Sequence, residues 1–122
     1  MELNNRDKSI LTHIVQHCEN IFSSMKRFGD SVIFAKDADY FNSVCMSLLQ
    51  IGELANHLSA EFQAGHDGVP WRNIIGLRNV VVHGYGHLDI DTVWGTLQED
   101  IPSLYQYCHK ILDAANNQPG EK

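Results

Sequence analysis

The chain has 122 residues, enough for one compact domain with a single core and short for two. Hydrophobic residues at 43% and charged residues at 20% exclude disordered, collagen-like and low-complexity classes. A formal net charge of -6 argues against a broad nucleic-acid surface driven by counterion release.

From Asn5 to Phe28 the apolar residues Leu11, Ile14, Cys18, Ile21, Met25 and Phe28 fall at spacings of 3,4,3,4,3, which predicts a long helix packed nearly parallel to others and stopped by Gly29. Val32 to Phe34 has strand character, but a lone strand has no partner. From Asp37, a plausible cap, Phe41, Val44, Leu48, Ile51, Ala55, Leu58 and Phe62 repeat the 3,4 spacing and predict a second long helix. Ala64 to Val69 reads as a Gly-containing loop, and Pro70 suits the first position of a third helix.

Asp89 or Asp91 can cap a fourth segment in which Ile90, Val93, Leu97, Ile101, Leu104, Cys108 and Ile111 keep a helical period. Pro102 interrupts that segment and predicts either a kink or two helices with Asp100 near the second start. The fold expected is an all-α up-and-down bundle of four to five helices, with one domain over residues 1–115 and a flexible tail over 116–122. Cys18, Cys45 and Cys108 are odd in number, far apart and on apolar stripes, so they read as small core residues in a reducing cytoplasm. No run approaches the roughly 20 apolar residues of a membrane span, and no basic region precedes an apolar leader.

The third helix carries the unusual stretch Gly76-Leu-Arg-Asn-Val-Val-Val-His-Gly-Tyr-Gly-His87. Val80 to Val82 favour a strand by local propensity, but the surrounding bundle makes them helical. The window from Gly68 to Leu88 contains Arg72, Arg78, His83 and His87 and no Asp or Glu, so it can hold a phosphate within an otherwise acidic chain. On an ideal helix Asn79 and His83 lie within about 40° of each other, and Arg78 and Tyr85 within about 20°. Arg78 and His83 are about 140° apart. A single rigid helix does not aim both at one atom. Either the helix ends near His83, aided by Gly84 and Gly86, or a second copy of the chain supplies the complementary groups.

Attack of an RNA 2'-hydroxyl on its own phosphate needs a base and an acid on opposite sides, plus a cation for the phosphorane charge. Two His83 imidazoles across a two-fold axis supply base and acid, two Arg78 guanidiniums grip the phosphate, and Asn79 orients His83 or donates to the phosphate. Taken alone, Arg78 and His83 read as an exposed arginine and a helix-terminal histidine rather than as a site.

Arg78, four residues, His83, one residue and Tyr85 resemble the R-x4-H-x-Y signature of HEPN-superfamily ribonuclease toxins, in particular the HepT-like family. Leu49-Gln-Ile-Gly-Glu-Leu-Ala-Asn56, Pro70-Trp-Arg-Asn-Ile-Ile-Gly-Leu-Arg-Asn79, Val82-His-Gly-Tyr85 and Asp91-Thr-Val-Trp94 resemble the family in order, over roughly Arg6 to Leu112. The resemblance implies a HEPN-like dimer whose motifs meet in an interface cleft, metal-independent RNA cleavage, and no cofactor. It further implies a cognate minimal nucleotidyltransferase antitoxin that neutralises the toxin by adding AMP to Tyr85. The alternative is a noncatalytic HEPN module that docks the nucleotidyltransferase; an intact Arg78, Asn79 and His83 set favours the enzyme.

Several other residues have two readings each. Glu53 and Asn56 are mid-helix and are either solvated surface or, if the cleft reaches them, contacts to the motif helix or RNA; Arg72 is grouped with them as supporting or RNA-contacting. Tyr85 outside the family context is an ordinary interface aromatic. Trp71 and Trp94 read as core or interface anchors rather than base-stacking platforms. His13 with His17, and His83 with His87, have the i, i+4 spacing of paired metal ligands, but neither pair has a third ligand nearby in sequence, and no metal is expected.

Overall fold

A computed structural model describes residues 3–84 and 90–116, with residues 80–84 described by their backbone alone. It is all-α. The described residues form seven helices: α1 (Asn5–Phe28), α2 (Ser31–Lys36), α3 (Ala38–Asn56), α4 (Ala60–Gly65), α5 (Trp71–Gly84), α6 (Ile90–Gln98) and α7 (Asp100–Asn116). The core is built where α3 packs on α1 and α5, α1 also packs on α7, and α6 packs on α7.

The periodic stripes are the buried seams. On α1 Leu11, Ile14, Cys18 and Ile21 are buried, on α3 Val44, Leu48, Ile51 and Ala55, and on α6 and α7 Val93, Leu97, Ile101, Leu104 and Cys108. Burying a side chain such as Leu or Ile contributes about 1.5–3 kcal/mol, so these seams supply the main driving force for the bundle. Phe28, at the end of the α1 stripe, is 38% exposed and lies outside the seam. Trp71 and Trp94 are both core aromatics, Trp71 buried and Trp94 packed against Phe34. No helix among the described residues is long and apolar enough to cross a membrane.

Local chemistry sets the boundaries. Asn4 caps α1 by accepting from the Asp7 amide at 2.7 Å, and Gly29 ends it with φ of 118°, a conformation that L side chains rarely adopt. Asp37 caps α3 by accepting from the Tyr40 amide at 3.1 Å. Asp100 opens α7, so the sequence around Pro102 makes two helices rather than one kinked helix. Pro102 falls in the first turn of α7, where a missing N–H and the absence of a preceding turn cost little.

The helix count exceeds the four to five expected, for two reasons. Val32 to Phe34 is helical rather than strand-like: Asp30 caps α2 by accepting from the Val32 and Ile33 amides, and Phe34 is turned into an aromatic cluster with Tyr40, Phe41 and Trp94. The second long helix is broken at His57–Ser59, so Leu58 and Phe62 of its stripe leave α3. The break is made by Asp7, 52 residues away in sequence, which accepts from the Ser59 amide at 2.9 Å and from the Ser59 hydroxyl at 2.7 Å. The same hydroxyl accepts from the Phe62 amide at 3.1 Å and caps α4. Consequently the loop expected over Ala64 to Val69 begins only after Gly65. Pro70 precedes α5, its carbonyl accepting from the Ile74 amide at 3.1 Å, so it stands at the cap rather than at the first helical position.

Cys18, Cys45 and Cys108 are free and buried, as core residues should be. Burial pushes their thiols up, to about 12 for Cys18 and Cys108 and about 11 for Cys45. The expected cap Asp89, the residues Gly86 and His87, and the tail beyond Asn116 lie outside the described residues.

Candidate active site at the α3–α5 crossing

Helix α5 presents Trp71 and Ile74 to the core, 5% and 3% exposed. Arg78 follows at i+7 and i+4 from them, so it extends the buried face of α5 by one turn. There it meets α3. A Cβ built on Gly52 would lie 2.8 Å from the Arg78 backbone nitrogen, 3.1 Å from the Arg78 Cβ and 3.1 Å from the Ile75 carbonyl oxygen. Only a residue without a side chain lets the two backbones approach this closely, which explains a glycine in the middle of a helix where it costs about 1 kcal/mol relative to alanine.

The residue after that glycine completes the junction. Arg78 Nη1 donates to Glu53 Oε1 at 3.1 Å, an ion pair between side chains that are 32% and 46% exposed respectively. The pairing uses one nitrogen and one oxygen, whereas a guanidinium carries five N–H donors in a planar fork. A half-exposed pair of this kind contributes only about 0–1 kcal/mol to stability. Its effect is on where the guanidinium points.

Of the residues singled out in the sequence, the fold brings Arg78 and Glu53 together. Asn56 lies one turn beyond Glu53 on α3 and is exposed, and Asn79 is exposed on α5. Arg72 is exposed six positions before Arg78, about 120° around an ideal helix and about 9 Å along it, so it does not share the Arg78 position. The backbone of α5 remains helical through Gly84, which keeps positions 78 and 83 about 140° apart around the axis. The side chain of His83, and Tyr85 altogether, lie outside the described residues.

Two readings change in three dimensions. The acid-free window from Gly68 to Leu88 is acid-free only along the chain, because the fold places Glu53 from α3 against Arg78. Gly52 carries no reading from the sequence, although an isolated glycine inside a helical stripe costs about 1 kcal/mol and so asks for a packing reason.

The remaining histidine pair, His13 and His17, lies on α1. His13 Nδ1 sits 2.7 Å from the Ser9 carbonyl oxygen, while His17 Nδ1 is buried without a partner beside a shallow groove of mixed character that includes Asn20, Ser24, Ser43, Met46 and Ser47. Burial and then the neighbouring His13 lower the His17 pKa, favouring its neutral form. Among the described residues no group of three His, Cys, Asp or Glu side chains is placed to hold a metal ion.

Comparison with known proteins places this arrangement in context. The family model described as "Ribonuclease HepT-like" matches residues 11–111. A protein named "Putative RNase" from Caldanaerobacter subterraneus subsp. tengcongensis is 35% identical over 104 residues, covering 84% of this chain and 90% of that protein. Another of the same printed description from Methanocaldococcus jannaschii is 28% identical over 93 residues, 69% of this chain and 85% of its own. "Probable ribonuclease HepT" from Thermococcus cleftensis is 36% identical over 62 residues, 51% of this chain and 56% of its own. No solved structure matches the chain significantly.

Proposed function

Because the chain belongs to the HepT-like ribonuclease family, we propose that it is a metal-independent RNA endonuclease, the toxin of a toxin–antitoxin pair, acting in the cytoplasm as a homodimer with a composite site. One observation carries the reading: Arg78, in the segment that resembles the family signature, is a partly exposed guanidinium at a helix crossing whose contact with Glu53, among the described residues, uses one nitrogen. That is the state expected of a group whose remaining donors are for an anion.

In the reaction, one His83 imidazole removes the proton from a 2'-hydroxyl, whose oxygen attacks the adjacent phosphorus. The other His83, contributed by the second copy and charged, gives a proton to the departing 5'-oxygen. A new 2'-O–P bond replaces the 5'-O–P bond, leaving a cyclic phosphate. An unperturbed imidazole pKa of about 6.5 allows one neutral and one charged ring near neutral pH. Arg78 stabilises the charge on the phosphorane, and Asn79 orients His83 or donates to the phosphate. The 140° separation of positions 78 and 83 on α5 supports the need for two copies.

Neutralisation follows from the position of Tyr85, two residues beyond the proposed catalytic imidazole. A nucleotidyltransferase antitoxin transfers AMP from ATP to its hydroxyl, forming a phosphodiester and releasing pyrophosphate. The added anion draws Arg78 away from RNA and blocks the cleft.

The test is purified protein incubated with bulk tRNA and messenger RNA, with and without EDTA, beside a His83→Ala control. Cleavage that survives EDTA and disappears in the control supports the reading. Chelator-sensitive cleavage restored by zinc would replace it with a metal mechanism, and no cleavage of either RNA would favour a noncatalytic docking module. Intact mass of protein made together with its nucleotidyltransferase tests the switch: whole adenylyl additions at Tyr85, absent from Tyr85→Phe, are expected in the inactive form.

A further inference from the structure

Gly52 and Glu53 are consecutive, and each acts on a different end of the same arginine. Gly52 admits the Arg78 backbone, with the Arg78 nitrogen 2.8 Å from where a Cβ would stand, and Glu53 holds the tip of the side chain at 3.1 Å. Between those anchors Arg78 has a long stem whose free rotation would spread the guanidinium over many rotamers.

We propose that Glu53 is a positioning residue for the phosphate-binding arm of Arg78, aiming the guanidinium by one nitrogen while its other donors remain for RNA. This rests on the reading of Arg78 as the phosphate clamp. Glu53 itself touches neither the attacking nor the leaving oxygen.

The carboxylate has two opposed effects. It fixes the fork, which raises the rate of the bound complex. It also places a negative charge beside a site for another anion, which weakens RNA binding. Removing it therefore lowers kcat and lowers KM together, a pattern that neither a structural residue nor a general acid or base produces.

The experiment is steady-state cleavage of an end-labelled, mixed-sequence RNA oligonucleotide by the full chain carrying Glu53→Ala, Glu53→Gln, Arg78→Ala or the Arg78→Ala/Glu53→Ala pair, with thermal melts of each. Glu53→Ala is expected to lose about tenfold in kcat and to lower KM about threefold. Glu53→Gln keeps an oxygen acceptor at the same place and is expected to recover kcat to within about threefold of the parent while KM stays low. On the Arg78→Ala background, Glu53→Ala should cause no further loss, because the two residues act as one unit.

Wild-type kcat in Glu53→Ala would overturn the proposal. So would Glu53→Gln as impaired as Glu53→Ala, which would show that the ionised carboxylate takes part directly. Arg78→Ala cleaving as well as the parent identifies a different failure, that of the phosphate-clamp reading, and removes the basis for both.

Discussion

Asp7 and Arg78 are both charged side chains drawn onto helix junctions, and their surroundings differ in every respect that matters. Asp7 is 2% exposed, and its two oxygens accept from the Ser59 amide, the Ser59 hydroxyl and the Asn4 side-chain amide. Arg78 keeps 32% of its side chain exposed and meets Glu53 through a single nitrogen. Asp7 is a satisfied network: three donors meet its carboxylate, and their hydrogen bonds repay its desolvation. Among the described residues Arg78 is held by Glu53 alone and stays partly exposed. The difference separates a charge that organises the fold from one suited to an incoming anion.

The sharpest way to break that comparison is to exchange the expected phenotypes. Asp7→Ala leaves the Ser59 amide and the cap of α4 without their acceptor, and should cost about 3 kcal/mol in urea unfolding. The fraction that remains folded should cleave RNA at the parent kcat. Arg78→Ala should do the reverse, losing roughly 100-fold or more in cleavage while stability stays within about 1 kcal/mol. Equal stability losses in the two variants would erase the distinction.

Gly52→Ala tests the backbone half of the junction. Alanine improves helix propensity by about 1 kcal/mol, but its Cβ would meet a backbone nitrogen and a backbone carbonyl, which cannot rotate away. Overpacking should win, with a net destabilisation of about 1–2 kcal/mol and reduced cleavage as α5 shifts from Glu53. An Ala variant more stable than the parent would show that the α3–α5 crossing can open to admit a methyl group.

The smallest expected effect is at His17, whose folded-state pKa is lowered by burial. Its neutral form is favoured by the fold, so its contribution is present above the unfolded imidazole pKa of about 6.5 and is lost as pH falls through that value toward the lower folded one. Stability measured by denaturation from pH 7.5 to 5 should decline less steeply in His17→Gln. An unchanged slope would assign the acid sensitivity to other groups.

The long seams of α1, α3, α6 and α7 were legible because helical burial repeats at a local period and needs no knowledge of the partner. Asp37 and Asp100 were legible as starts because capping is likewise local. The break at His57–Ser59 was not, since the carboxylate that creates it comes from Asp7 at the far end of the sequence. α2 was missed because Val32 to Phe34 are β-prone, while the cap that starts the helix, Asp30, acts only on the first turn. At the candidate site, Arg78 was visible as a residue and Glu53 as an open alternative, but their pairing depends on a crossing that a glycine permits without announcing. The roles proposed for His83 and Tyr85 stand on the family resemblance.

The three buried thiols turn the bundle into its own reporter. With burial pushing them to about 11 or 12, they are almost wholly protonated at neutral pH and shielded from reagents, so alkylation must wait for a helix to open. Cys18 belongs to α1, Cys45 to α3 and Cys108 to α7. Cys18 and Cys108 sense each other across the α1–α7 seam, so their labelling rates report the opening of that seam, and Cys45 reports that of α3, with no engineered probe.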